Sequence, residues 1–198
     1  MVRYGPGAAG AQLQAGKSEK EDQMLKRGDI GKKPVVPCLW FDNKAEEAAK
    51  FYVSTIRNSK IGKIVRYGEA AAKASGQPAG SVMTVTFTIN GQEFLAMNGG
   101  PQFTFSPAVS FFLKCDTQKE IDRLWDKLSE GGEKSVCGWL TDKFGLTWQI
   151  VPAVFDKMME DKDAKKRDAV MEALLQMTKL DIKTLQEAYE KPGLRKAA

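Results

Sequence analysis

Period-two alternation is clearest in "SVMTVTFTI" (81–89), with Val82, Thr84, Thr86 and Thr88 on one face and Met83, Val85, Phe87 and Ile89 on the other. Asn90-Gly91 follows, a pair suited to the left-handed central positions of a two-residue hairpin turn, and "QEFLAMN" reads as the return strand. Upstream, "VVPCLWF" predicts an apolar strand. Ala45, Ala48, Ala49, Tyr52 and Ile56 then fall at helical spacing in "KAEEAAKFYVSTI", with Asp42 or Asn43 placed to cap that helix. "KIGKIVRY" predicts a further strand, and the Gly/Ala-rich stretch 68–80 a loop. The predicted order is strand, helix, strand, hairpin.

After "GGPQFTFSP" the same order begins again. "AVSFFLKC" predicts a strand, Asp116 or Thr117 caps "QKEIDRLWDKLSE", and Gly131-Gly132 ends it. "KSVCGWL" and "LTWQIVP" predict two more strands, so the chain is expected to duplicate one βαβββ module. From Ala153 the pattern turns helical. Val170, Leu174 and Met177 make a stripe that Met171 and Leu175 widen, and Asp181 is placed to cap a last helix carrying Leu185 and Tyr189. Residues 1–33 are poor in branched and aromatic side chains and predict a flexible tail, with a short helix around "EKEDQMLKR". The expected organisation is a tail (1–33), a two-module domain (34–152, modules 34–100 and 106–152) and a C-terminal helical extension (153–198).

Composition narrows the function classes. Seven Lys or Arg and four Asp or Glu fall in residues 1–33, which leaves only +2 of the net +5 for the other 165 residues. No clustered cations remain to track phosphates, so no nucleic-acid partner is expected. No apolar run reaches membrane-spanning length, and the N-terminal residues do not read as a secretory signal. Cys38, Cys115 and Cys137 form neither a CxxC nor an even framework, which fits a reducing, cytoplasmic setting. The chain has no histidine. That removes Ser-His-Asp, Cys-His and two-His-one-carboxylate chemistry.

The stretches "PCLWFDNKAEEAAKFYVSTI", "GSVMTVTFTINGQEFLAMNGGPQFTF", "CGWLTDKFGLTWQIVP" and "LLQMTKLDIKTLQEAY" resemble the PhnB-like, "3-demethylubiquinone-9 3-methyltransferase domain" branch of the vicinal oxygen chelate superfamily. The resemblance implies an α+β fold in which two βαβββ modules form a glyoxalase-like half-barrel cup. It also implies metal-ligand positions on first and last strands, here near Pro37, Asn98, Ser110 and Gln149. None of the four is His, Cys, Asp or Glu, so no metal and no cofactor is expected. The methyltransferase description finds no support in the residues, because no Gly-rich loop follows a strand.

The expected site is therefore an apolar cup. Placing the more apolar face of each strand under the helices leaves Ser110 and Gln149 facing the cup, joined by Asn98 and by Phe103, Phe105 and Trp139 from connecting segments. The expected ligand is a small aromatic or quinone-like molecule. A binding or sequestering protein without catalysis, and an enzyme of the methyltransferase-labelled or glyoxalase-like kind, both stay open. The resemblance also implies a homodimer.

Overall fold

A computed structural model describes residues 35–193; the expected tail and its short helix lie outside the described residues. The first module holds β1 (Cys38–Phe41), α1 (Ala45–Thr55), β2 (Lys60–Arg66), α2 (Glu69–Ser75), β3 (Val82–Ile89) and β4 (Gln92–Asn98). Its sheet runs β1-β4-β3-β2, with β1 parallel to β4 and the remaining pairs antiparallel. The second holds β5 (Ser110–Cys115), α3 (Gln118–Leu128), β6 (Glu133–Lys134), β7 (Trp139–Thr141) and β8 (Thr147–Pro152), and its sheet repeats the order as β5-β8-β7-β6. Three helices follow, α4 (Val154–Met159), α5 (Ala164–Leu175) and α6 (Ile182–Glu190). Among the described residues no helix is long and apolar enough to cross a membrane.

One face of each sheet packs on helices, and both modules share that core. The helical stripe Ala45, Ala48, Ala49, Tyr52 and Ile56 is buried with Val85, Phe87 and Ile89, as the two periodicities require. Aromatic contacts join the modules. Tyr52 meets Trp148 with ring centroids 5.3 Å apart, and Phe94 meets Phe111 at 5.1 Å. Arg123 on α3 donates to the Thr55 carbonyl at the end of α1, 2.7 Å away.

Four elements depart from the sequence pattern. The stretch 68–80 contains α2, because the alanines of "EAAAKAS" favour helix and Gly76 closes it with φ +75°. Neither Asp42 nor Asn43 caps α1; the donor at its start goes to a side chain on β4 instead. "KSVCGWL" is broken by a turn, with Lys134 ending β6 and residues 139–141 forming β7. The C-terminal segment is three helices. Asp163 caps α5 through Lys165 N, and Asp181 caps α6 through Thr184 N. Val170 and Leu174 are buried as the stripe predicts, but α5 stops at Leu175, which is exposed, and Met177 lies in the linker to α6.

A second apolar core gathers Val151, Met158, Val170, Leu174, Leu180 and Leu185. Val151 belongs to β8, so the C-terminal helices pack on the end of the second sheet. They cover part of the face that α3 does not.

Candidate functional site

Alternation along β8 fixes the geometry of the second sheet. Trp148 and Ile150 are buried in the shared core, so Gln149 points to the opposite face. On β5, Ser110 and Phe112 share that face. Gln149 Nε2 donates to Ser110 Oγ at 2.8 Å. The Cα partners of Gln149 are Phe112 on β5 and Trp139 on β7. Phe112 is 46% exposed, whereas Ser110, Trp139 and Gln149 are half-buried. Lys114 lies farther along β5 on the same face and pairs with Asp156. The result is an aromatic-flanked, neutral donor–acceptor pair on an open sheet face.

The turn before β8 keeps this arrangement in register. Asp142 is 2% exposed, and its carboxylate accepts from Phe144 N at 2.8 Å, Leu146 N at 3.1 Å and Trp148 Nε1 at 2.8 Å. Gly145 supplies the positive φ the turn needs, +86°. Burial pushes the Asp142 carboxyl above the usual carboxylate range, against the pull of these donors. The Tyr52 hydroxyl is buried without a hydrogen bond of ordinary geometry. Burial and the neighbouring Asp142 charge raise its pKa well above the phenol range. Cys115 is likewise an inert thiol, pushed up to about 12 mainly by burial.

Ser110, Trp139 and Gln149 share one face of the second sheet; the other three candidates do not join them. Phe103 is 64% exposed and meets Trp40 edge-on at 5.0 Å, on the open face of the first sheet. Phe105 packs on the core side against Phe41 at 5.2 Å. Asn98 is 6% exposed and turned to the helix side. Its Oδ1 accepts from Ala45 N at 2.8 Å, and its Nδ2 donates to the Val82 carbonyl at 3.0 Å. Phe41, Ala96 and Asn98 share a face by alternation, so the residues of β4 on the open side are Glu93, Leu95 and Met97.

Two residues were missed by sequence reasoning. Trp40 lies half-buried opposite Leu39 and Phe41, and its Nε1 donates to the Gly100 carbonyl at 2.8 Å. Its indole crosses Gly99 so closely that a Cβ there would lie 2.1 Å from the ring. Phe112 is the second. The alternation in "CLWF" and "SFFL" carries both signals.

The donor set does not fit the divalent ion of the superfamily. Ser110 and Gln149 are neutral and bonded to each other, and Asn98 spends its oxygen on a helix N-terminus. No three His, Cys, Asp or Glu side chains gather as a ligand set among the described residues. A hydroxyl and a carboxamide offset none of the cation's charge.

Comparison with known proteins agrees with the architecture. The family profile described as 3-demethylubiquinone-9 3-methyltransferase matches residues 33–151. Among solved structures, the PhnB protein from Bacillus cereus is 37% identical, with 61% of this chain and 100% of that chain covered and a TM-score of 0.55. A Pseudomonas aeruginosa protein is 22% identical over 61% of this chain and 97% of its own, at a TM-score of 0.50. No curated protein matches the chain.

Proposed function

The chain belongs to the 3-demethylubiquinone-9 3-methyltransferase family of the vicinal oxygen chelate superfamily, and from that premise we propose that the open face of its second sheet binds a small aromatic or quinone-like molecule without a metal. The observation that carries this reading is the Ser110–Gln149 pair, whose Gln149 lies in the sheet between the half-exposed Phe112 on β5 and Trp139 on β7. Aromatic walls with a few convergent hydrogen-bonding groups are the usual make-up of a small-molecule site. Beyond their mutual bond the two side chains keep the second Gln149 amide hydrogen and the Ser110 hydroxyl hydrogen as donors and Gln149 Oε1 as an acceptor, enough to orient a phenol or a quinone oxygen.

The face is open in one copy of the chain. A second copy is the proposed cover, because Phe112 and Val109 on this strand and its approach are 46% and 67% exposed. Assembly would close the two half-cups and exclude water from the ligand.

Thermal shift with 1-naphthol, a benzoquinone and an aromatic lactone tests the site. A ligand at 100 times its dissociation constant adds about 2.7 kcal/mol, which moves the melting temperature of a domain this size by roughly 5–10 °C. No shift with any of the three would sink the proposal.

Binding without turnover is the second reading, favoured by one observation. The groups around Gln149 that could reach a ligand are neutral, and the cation on the face, Lys114, is already paired with Asp156. Mass spectrometry of a recovered ligand separates the readings: an unchanged compound supports sequestration, and a modified one supports an enzyme.

A further inference from the structure

We infer that the linker between α5 and α6, latched by Gln118, is a positioning device that sets the Trp139 indole beside Gln149. The inference rests on the reading of the second sheet's open face as a binding wall. It assigns a role to a part of the chain beyond residue 151, where the family match ends.

The turn that delivers Trp139 is unfavourable by itself. Trp139 N donates to the Val136 carbonyl at 3.1 Å, and the central residues Cys137 and Gly138 have φ of +59° and +79°. Two successive left-handed residues mark a type I′ turn, and a Cβ at the first of them is disfavoured. Glycine is required at the second. A Cβ on Gly138 would lie 2.7 Å from the Ile150 carbonyl and 3.1 Å from Leu180 Cγ.

External bonds hold this turn in place. Cys137 N donates to the Met177 carbonyl at 2.7 Å, and Gly138 N to the Thr178 carbonyl at 2.8 Å. Both acceptors belong to the linker. The linker is tied in turn to α3, where Gln118 Nε2 donates to the Leu180 carbonyl at 3.1 Å and Gln118 Oε1 accepts from Ile182 N at 2.9 Å. Lys179 pairs with Asp122, one turn farther along α3, at 2.6 Å. Leu180 is fully buried in the second apolar core. One carboxamide thus pins the α6 end of the linker, and the carbonyls of Met177 and Thr178 at its other end fix the turn from which Trp139 enters β7.

The full chain labelled with 5-fluorotryptophan tests this, because the four tryptophans give separate fluorine resonances that Trp139→Phe assigns. Gln118→Ala is expected to shift and broaden the Trp139 resonance while leaving that of Trp40 unmoved. It should also weaken 1-naphthol binding about tenfold, as loss of an aligned contact does. Gln118→Asn, too short to reach both backbone groups, provides the same readout if the alanine variant does not fold. A folded Gln118 variant with an unmoved Trp139 resonance and unchanged naphthol affinity overturns the inference. A moved resonance in a chain whose wild type binds no naphthol supports the positioning and overturns the binding reading instead.

Discussion

Gln149 Nε2 donates a hydrogen bond to Ser110 Oγ across the junction of β8 and β5, and neither side chain takes part in the core beneath them. A bond on a half-exposed face contributes little to folding, about 1 kcal/mol or less. Gln149→Ala is therefore expected to leave the melting temperature within a few degrees of wild type while weakening 1-naphthol binding by roughly tenfold. Fluorescence titration beside a thermal melt checks both. A variant that binds as well as wild type would show that the pair only satisfies itself.

The same position tests the metal argument. Gln149→Glu puts one negative charge where neighbouring donors are neutral, and at the last-strand ligand position implied by the superfamily. Its affinity for Mn²⁺ should rise over wild type, by calorimetric titration, yet stay far below that of a three-ligand site. No gain at all would mean that Gln149 is not at that position.

Asn98 makes the opposite prediction. Its carboxamide satisfies the first amide of α1 and the Val82 carbonyl, and Tyr67 donates its hydroxyl to the Asn98 carbonyl at 2.5 Å. Asn98→Ala strips partners from buried backbone groups and is expected to cost about 2–3 kcal/mol in urea unfolding. Asn98→Asp keeps the acceptor at the helix N-terminus and loses the donor, so about half that loss is expected. Ligand affinity should be unchanged in both.

The Asn98 result also shows what could be read from the chain alone. Alternation identified the buried set Val85, Phe87 and Ile89 and turned Gln149 away from Trp148 and Ile150, because a pleated strand leaves no other choice. The same alternation, followed from Phe94 and Ala96, puts Asn98 in the core. Its polarity suggested the open face, whereas a long-range cap was the actual use of that polarity. Such a cap joins residues 53 apart and leaves no local trace. The Val136–Trp139 turn was hidden for a related reason. Cys137 is not a turn-forming residue, and the linker that stabilises its left-handed backbone lies 40 residues downstream.

Asp142 carries a pH dependence of definite sign. Burial raises its pKa in the folded chain, so the native state binds a proton that the unfolded chain, titrating near 3.9, has already lost. The stability this group contributes is fully present below that unfolded pKa and is lost as pH rises through the raised folded value. Asp122 and Asp181 have lowered values through bonds to Lys179 and Thr184 respectively, and act in the other direction. Asp142→Asn removes only the first effect. The stability advantage of wild type over this variant is expected to be largest in acid and to shrink toward neutral pH. An advantage that grows with pH would show that the three donors outweigh burial.

Phe112 provides the test of assembly. Nearly half exposed on a strand that edges the second sheet, it presents an aromatic ring and an unpaired strand edge together. Such an edge is an association hazard unless it is covered. Covering a Phe side chain contributes about 1.5–3 kcal/mol when burial is complete, and a symmetric dimer gains the increment twice. Wild-type protein is thus expected to sediment as a dimer at micromolar concentration and Phe112→Asp as a monomer with an unchanged circular dichroism spectrum. Leu175→Asp, exposed at the end of α5, should leave the dimer intact. If wild type is monomeric, the open face has no second copy to close it. If Leu175→Asp dissociates the dimer and Phe112→Asp does not, the copies meet through the C-terminal helices instead.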